Sequence, residues 1–498
     1  MLETIKTNIL LPIKSFKVHY LPIIILYFCY GFSSFTGISQ MFWIKNQLSI
    51  SATELAQLSF WITSPWTVKI LFSQLIDNVS IMGNRRKSYI YIGALCNFFG
   101  CSIMVALSNE YGPKYLGSPY NQLLLGGILI ATGFMIQDLV ADTLCAELVD
   151  QNASSEDKKH EIGIIQILGR ISLMLSILLA TIIGGYLASH YNFSNIIWFS
   201  PILPIISITS CYFLNNSISQ SESIFNHKIS IISITIVIVS ILFGILQIPY
   251  NQEIIFCTNL ILIAFLFKTI CGHQDGKTFR EIILIGIMLF AARIDPTLGA
   301  GIEWWQIDVL KFDPIFFSVL KQISFMLGLI GTWTLSGYLL KKDISVIILV
   351  LTLINAILFL PYIGMAYGLH DWTFKHFGFG ARTIAIVDTF IDGPFTIIIM
   401  VPILALSTLY APKYNKPTWF AITACWLNLA LSGGTLIGKY LNKIFVIERG
   451  EYNQVGNLLI AKLIIGVTIP LCTVWICNVL RNKNKININV LHTQLNHS

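Results

Sequence analysis

The sequence predicts an all-α, polytopic membrane protein of two six-helix bundles with two further central helices. Three observations lead there. Hydrophobic residues make up 55% of the 498 residues and charged residues only 11%, against about 25% charged in ordinary soluble domains. Apolar runs of about 20 residues, the length that crosses a bilayer, recur along the chain. Two Asp-x-x-x-Asp pairs, Asp138 with Asp142 and Asp388 with Asp392, occupy such runs, one pair in each half.

After a tail over 1–20, spans are expected near 21–44, 54–77, 88–108, 122–149, 162–189 and 194–214, forming the first bundle over 21–214. No short basic-then-apolar leader is read before them, so the first span is expected to anchor itself. A connector over 215–280 carries runs near 229–248 and 253–270, either two added spans or one re-entrant hairpin. The second bundle, 281–480, is expected from spans near 281–303, 313–340, 344–367, 381–410, 417–443 and 454–480, followed by a tail over 481–498. Lys and Arg concentrate in alternate connections, as in Arg85-Arg-Lys, Lys158-Lys, Lys341-Lys and Arg481. That asymmetry places both termini in the cytoplasm. The net charge of +7 follows from it and suits an anionic leaflet; no nucleic-acid partner is implied.

Asp138 and Asp142 are four residues apart, hence on one helix face. An unpaired charge at that depth costs about 2.5–3.5 kcal/mol, so the pair is expected to meet a water-filled cavity, a cationic partner or the protein interior. A substrate or proton path is the functional reading, and an ion pair locking two helices is the structural one. Lys69, Arg170 and Arg293 are the intramembrane cations best placed to answer the acids, whereas Lys321, Lys439 and Lys462 are expected to snorkel toward the interface. Internal symmetry supports a carrier. Met41-Phe-Trp-Ile-Lys-Asn-Gln-Leu aligns with Glu303-Trp-Trp-Gln-Ile-Asp-Val-Leu, and two parallel repeats place a substrate site at their seam near the midplane.

The turn after the second span reads Gln74-Leu-Ile-Asp-Asn-Val-Ser-Ile-Met-Gly-Asn-Arg-Arg-Lys-Ser-Tyr. Its acid, glycine and arginine cluster resemble the signature loop of the major facilitator superfamily. Ser64-Pro-Trp-Thr-Val-Lys-Ile-Leu-Phe-Ser-Gln-Leu-Ile-Asp, Asp138-Leu-Val-Ala-Asp-Thr-Leu-Cys-Ala-Glu and the stretch from Gly163 to Arg170 resemble the folate-biopterin transporter family more narrowly. Asp388 with Met400-Val-Pro-Ile-Leu-Ala-Leu extends the likeness into the second half. The resemblance implies a twelve-helix core moving folates, pterins or related compounds by alternating access, typically with an ion gradient. One departure is Arg293-Ile-Asp-Pro, where members often carry Gln-Ala-Thr-Pro; an ion pair between Arg293 and Asp295 is expected to reshape the cavity.

The chemistry fits that implication independently. A pterin offers an amino group and ring N–H donors that a carboxylate grips with paired hydrogen bonds, and a folate tail offers carboxylates to Arg or Lys. Asp138, Asp142, Asp388 and Asp392 are therefore expected on the acidic side of a binding or coupling site, with Lys69, Arg170, Arg293 and Asp295 completing it. A proton or sodium ion is the expected coupling partner, and Asp rather than His would carry a proton, since every His falls in a tail, turn or span edge. Asp77, Gly83, Arg85 and Arg86 are read as a conformational latch whose charges pair differently in inward- and outward-open states.

Other chemistries find no motif. The ten cysteines include no Cys-x-x-Cys, and neither a Gly-x-Ser-x-Gly elbow nor a Walker loop occurs, so no metal, cofactor, catalytic residue or ATP drive is expected. Gly126, Gly127 and Gly133 read as helix-packing residues. The alternatives are a carrier of another small polar metabolite such as an amino acid, a polytopic lipid enzyme, and a non-transporting receptor on the same scaffold.

Overall fold

A computed structural model of the chain describes residues 16–79, 81, 84, 86–109, 117–149, 155–214, 248–271, 276–339, 342–398 and 416–482, with isolated positions between 235 and 246. The elements are helices, in the order α1 (Leu21–Phe32), α2 (Gly37–Gln47), α3 (Ala52–Thr67), α4 (Lys69–Asn78), α5 (Lys87–Ser108), α6 (Pro119–Glu147), α7 (Ser155–His190) and α8 (Ile202–Thr209). Then come α9 (Asn251–Cys271), α10 (Gly276–Arg293), α11 (Ala300–Asp308), α12 (Pro314–Leu339), α13 (Ile344–Leu358), α14 (Leu360–Ala366), α15 (Leu369–Phe377), α16 (Ala381–Ile398), α17 (Lys416–Phe445) and α18 (Val455–Asn482). Short polar signals start them: the Ser118 hydroxyl accepts from Asn121 N ahead of Pro119 in α6, and Asp343 accepts from Ser345 N to begin α13.

Among the described residues, ten helical stretches are long and apolar enough to cross a membrane. Four of the fourteen expected spans are not among them: two divide, and two lie largely or partly outside the described residues. The run at 54–77 divides because Pro65 lies within α3 and Val68 leaves helical geometry, with φ −112° and ψ 16°. The run at 281–303 divides where α10 stops at Arg293 and α11 starts at Ala300, across Ile294-Asp-Pro-Thr-Leu-Gly. Pro296 removes an N–H there, and Gly299 sits at φ +59°, which side-chain-bearing residues avoid. The run at 229–248 and the distal part of 381–410 lie largely outside the described residues, so only α9 of the central pair can be described.

The chain divides into two units, Met1–Leu48 with Trp61–Gln247, and Ser49–Phe60 with Ile248–Ser498. In the first, Ile23, Leu26, Ile90, Met135, Val140 and Ile165 are buried in one cluster. A close helix contact joins α5 to α6 backbone against backbone. A Cβ on Gly133 would lie 2.5 Å from Gly93 O, and one on Gly100 would lie 2.7 Å from Gly126 O. In the second unit, Leu284, Met288, Ile348 and Val474 form a core between α10, α13 and α18.

Each unit contains a helix interrupted at a corresponding place. In the first, α1 passes to α2 through a tight turn at Ser33–Thr36, and Phe35 O lies where a Cβ on Gly184 of α7 would come within 2.3 Å of it. In the second, Thr297 O stands 1.9 Å from where a Cβ on Gly438 of α17 would be. The alignment that pairs Trp43 with Trp305 also pairs Phe35 with Thr297. Irregular backbone at membrane depth needs internal partners, and α17 supplies them. Thr297 N donates to Gly434 O at 3.1 Å, and Asn442 Nδ2 donates to Leu298 O at 2.9 Å. Gly434, Gly438 and Asn442 recur every fourth residue and make one stripe.

Candidate functional site

In the first unit the sequence brings four predicted residues together. Asp138 and Asp142 project from one face of α6, and Lys69, the first residue of α4 after the break at Val68, reaches both. Its Nζ donates to Asp138 Oδ2 and, at 2.9 Å, to Asp142 Oδ2. The Asp138 side chain is 8% exposed and that of Asp142 is 42% exposed, so one acid is sealed in while the other can be reached. Tyr27 Oη donates to Asp142 Oδ1 at 2.6 Å, and the Arg170 guanidinium lies 5.5 Å from the Tyr27 ring centre. Two carboxylates, one ammonium and one guanidinium thus form a formally neutral set. Removing one partner of such a buried pair costs about 3–5 kcal/mol, because the other charge is stranded.

Aromatic rings flank the charges. Lys69 Nζ is 5.9 Å from the Trp66 ring centre, Trp66 stacks on Tyr30 at 5.4 Å and 27°, and Tyr30 meets Phe134 at 5.5 Å. The arrangement offers a flat surface beside paired hydrogen-bond acceptors, suited to a planar heterocycle bearing N–H donors.

The second-half residues are placed differently. Asp388 is half-buried on α16, close enough to Tyr362 to act on it electrostatically, and the Tyr362 hydroxyl accepts from Gln306 Nε2 at 2.6 Å. The backbone of Asp392 continues the same helix, but its side chain lies outside the described residues. Arg293 ends α10 with its Nε buried and without an acceptor among the described residues. Asp295 pairs instead with Lys462, Nζ to Oδ2 at 3.3 Å. The expected Arg293–Asp295 pair is therefore corrected: the helix breaks between them, and the intervening turn carries the acid to α18. Lys439 likewise does not snorkel, because it is 9% exposed and donates to Glu253 of α9 at 2.6 Å. Trp43, Trp304 and Trp305 are buried, at 6%, 1% and 3% exposure.

Of the latch residues, Gly83, Arg85 and the Asp77 side chain lie outside the described residues. Arg86 is described and well anchored. Its Nε donates to Glu147 Oε2 at 2.9 Å, and its Nη1 donates to Ile76 O at 3.1 Å, tying the end of α4 to the end of α6. Glu147, Tyr27 and Lys462 are the residues that sequence reasoning passed over. Tyr27 gave no signal inside an apolar run, whereas Glu147 stood in the quoted Asp138–Glu147 string and had only lacked a partner. No cluster of three or more His, Cys, Asp or Glu able to hold a metal occurs among the described residues.

Known proteins resemble the chain along most of its length. It is 22% identical over 472 residues to the probable folate-biopterin transporter 4 of Arabidopsis thaliana, covering 89% of this chain and 92% of that one. It is 19% identical over 446 residues to the folate-biopterin transporter of Synechocystis, covering 88% and 78%. Among solved structures, a POT family transporter in complex with a thioalcohol-conjugated peptide superposes with a TM-score of 0.63 at 16% identity, covering 91% of this chain and 94% of that one. That likeness shows the fold, and the all-α, major facilitator-like architecture expected from the sequence holds. The BT1 family model matches residues 30–493, so this multi-pass membrane transporter, which is not an enzyme, belongs to the BT1 family.

Proposed function

We propose that this transporter moves a folate, biopterin or related pterin across its membrane by alternating access, with both termini cytoplasmic and a proton or sodium ion coupled to the cycle. The observation that carries the reading is Lys69 bridging Asp138 and Asp142 beside Trp66 and Tyr30. Names of the BT1 relatives from Arabidopsis thaliana and Synechocystis point to the same substrates.

A pterin edge presents N–H donors that replace Lys69 on Asp142, the exposed acid, while Asp138 keeps the ammonium nearby. Tyr27 holds the carboxylate of Asp142 in orientation, and Arg170 lies over the Tyr27 ring to balance the charge. Within the second unit, Arg293, Asp295, Asp388 and Asp392 are assigned to binding or coupling. A cation arriving with substrate, a proton or sodium, substitutes for the charge that Lys69 withdraws, which couples the two. Arg86, held to Glu147 and to the end of α4, serves as the latch, with Asp77, Gly83 and Arg85 completing the turn.

Uptake of labelled folate, biopterin and an unrelated amino acid by cells unable to make or import folate tests the reading. Saturable folate or biopterin uptake, lost in Asp138→Asn at equal membrane abundance, supports it. Amino-acid uptake alone moves the chain to another carrier branch, and unaffected uptake in vesicles under an imposed pH gradient leaves sodium as the coupling ion.

A further inference from the structure

The segment joining α14 to α16 carries a helix that the second unit leaves uncovered. α15, Leu369–Phe377, has no buried residue. Left-handed glycines bracket it, Gly368 at φ +85° and Gly378 at φ +73°, so the chain turns sharply out of one helix and into the next. Tyr367, Trp372, Phe374, Phe377 and Phe379, in and beside it, are each more than half exposed. Phe374 and Phe377 lie three apart on the face that carries Leu369 and Thr373, while Asp371 and Lys375, four apart, lie opposite. A helix of 9 residues with two such faces is too short to be stable in water unsupported.

Where the helix begins shows what covers those rings. α13 and α14 together make a stretch, Ile344–Ala366, long and apolar enough to cross a membrane, and α15 starts three residues after it ends. Leu353, Ile357 and Leu360 recur along that stretch at helical spacing and are exposed, and Gly364 continues the row. An exposed apolar row on a spanning helix faces lipid. A Cβ on Gly364 would lie 2.7 Å from Leu369 Cδ2, so α15 rests on the end of that row. Aromatic rings on one side and an acid with a lysine on the other suit the boundary between hydrocarbon and headgroups, where Trp and Tyr concentrate.

We propose that α15 is an interfacial anchor that lies in the plane of the membrane surface, with Phe374 and Phe377 at the acyl boundary, Trp372 at headgroup level, and Asp371 and Lys375 toward water. Its partner is a phospholipid surface, whatever molecule the carrier moves. The anchor also fixes a depth. α16 begins at Ala381, close behind α15, and Asp388 follows seven residues on. At 1.5 Å per residue that is about 10 Å deeper, in a hydrocarbon core about 30 Å thick. Rings held at the surface thereby keep Asp388 toward the midplane.

The test is tryptophan fluorescence of the full chain in nanodiscs whose phosphatidylcholine carries bromine either high or low on its acyl chains, with wild type minus Trp372→Phe isolating Trp372. High bromines are expected to quench that difference signal severalfold more than low ones, and aqueous iodide to quench it weakly. Phe374→Gln together with Phe377→Gln should raise iodide quenching of Trp372 severalfold. Phe374→Trp gives an independent signal with Trp372 intact, and lipid bromine should quench it as well. Quenching by iodide alone, or more by low bromines than by high, overturns the anchor. Protection from both quenchers overturns it too, and a dimer in native mass spectrometry would then assign the face to a second copy of the chain.

Discussion

The carbonyl oxygen of Thr297 is seated against Gly438 with no room for a side chain between them, since a Cβ there would stand 1.9 Å from it. A backbone atom cannot swing aside as a side-chain tip can, so this contact fixes how the interrupted helix lies on α17. Gly438→Ala is expected to destabilise the protein by about 1–3 kcal/mol or more, in the range of overpacked interiors. Thermal unfolding in detergent reads it, and an unchanged midpoint rejects the contact as described.

Lys69→Met strands two carboxylates and is expected to cost about 3–5 kcal/mol. Adding Asp138→Asn and Asp142→Asn removes the stranded charge, so stability should return while uptake stays lost. If uptake returns with stability, the charges serve architecture alone.

Tyr27→Phe deletes one hydrogen bond to Asp142 and keeps the ring near Arg170. The expected effect is about 0.5–1.5 kcal/mol in stability together with weaker substrate affinity. Binding measured beside unfolding separates the two, and an affinity equal to wild type argues against a role in orienting the carboxylate.

Arg86→Gln leaves Glu147 without its guanidinium and frees the end of α4. Transport should slow more than equilibrium affinity changes, because the contact ties the ends of α4 and α6 and touches neither Asp138 nor Asp142. Equal rates at equal abundance exclude a latch there.

Asp343 lies outside the membrane-spanning segments and provides a pH signature. Burial on its own would raise its pKa, but the hydrogen bonds from Arg481 and Ser345 outweigh that and hold it below the usual carboxylate value. A lowered folded-state pKa means the stabilisation is complete above the unfolded value of about 3.9 and is lost as pH falls through the folded one. Unfolding followed from neutral to strongly acidic pH should show that loss in wild type and not in Asp343→Asn; identical slopes would falsify the assignment.

Much of this was legible in the sequence because the signals were local. Apolar run length gave the spans, helical spacing put Asp138 and Asp142 on one face, and Lys69 was among the three intramembrane cations best placed to answer them. What escaped depended on backbone excursions. The run around 281–303 reads as one span despite Arg293 and Asp295 within it, and the geometry at Pro296 and Gly299 revealed the break, and with it the partner of Asp295. Lys462 and Lys439 looked like snorkelling side chains because a stem near a span end has that option; acids from the break and from α9 supplied partners that spacing along one helix could not show. Tyr27 was hidden by its neighbours, being one aromatic in a run of apolar residues.

The glycine contacts between α5 and α6 have a mechanical meaning. With Gly93 against Gly133 and Gly100 against Gly126, the two backbones touch and Asn97, Gln137, Ile130 and Met104 fill the space around them, so the helices resist sliding and move as a single girder. Asp138 and Asp142 ride on that girder. Motion that alters their surroundings must then come from the jointed helices, at Val68 beside Lys69 and at Ser33–Thr36 nearly two turns beyond Tyr27, which makes the cation and the tyrosine the travelling parts and the carboxylates the fixed mark they travel past.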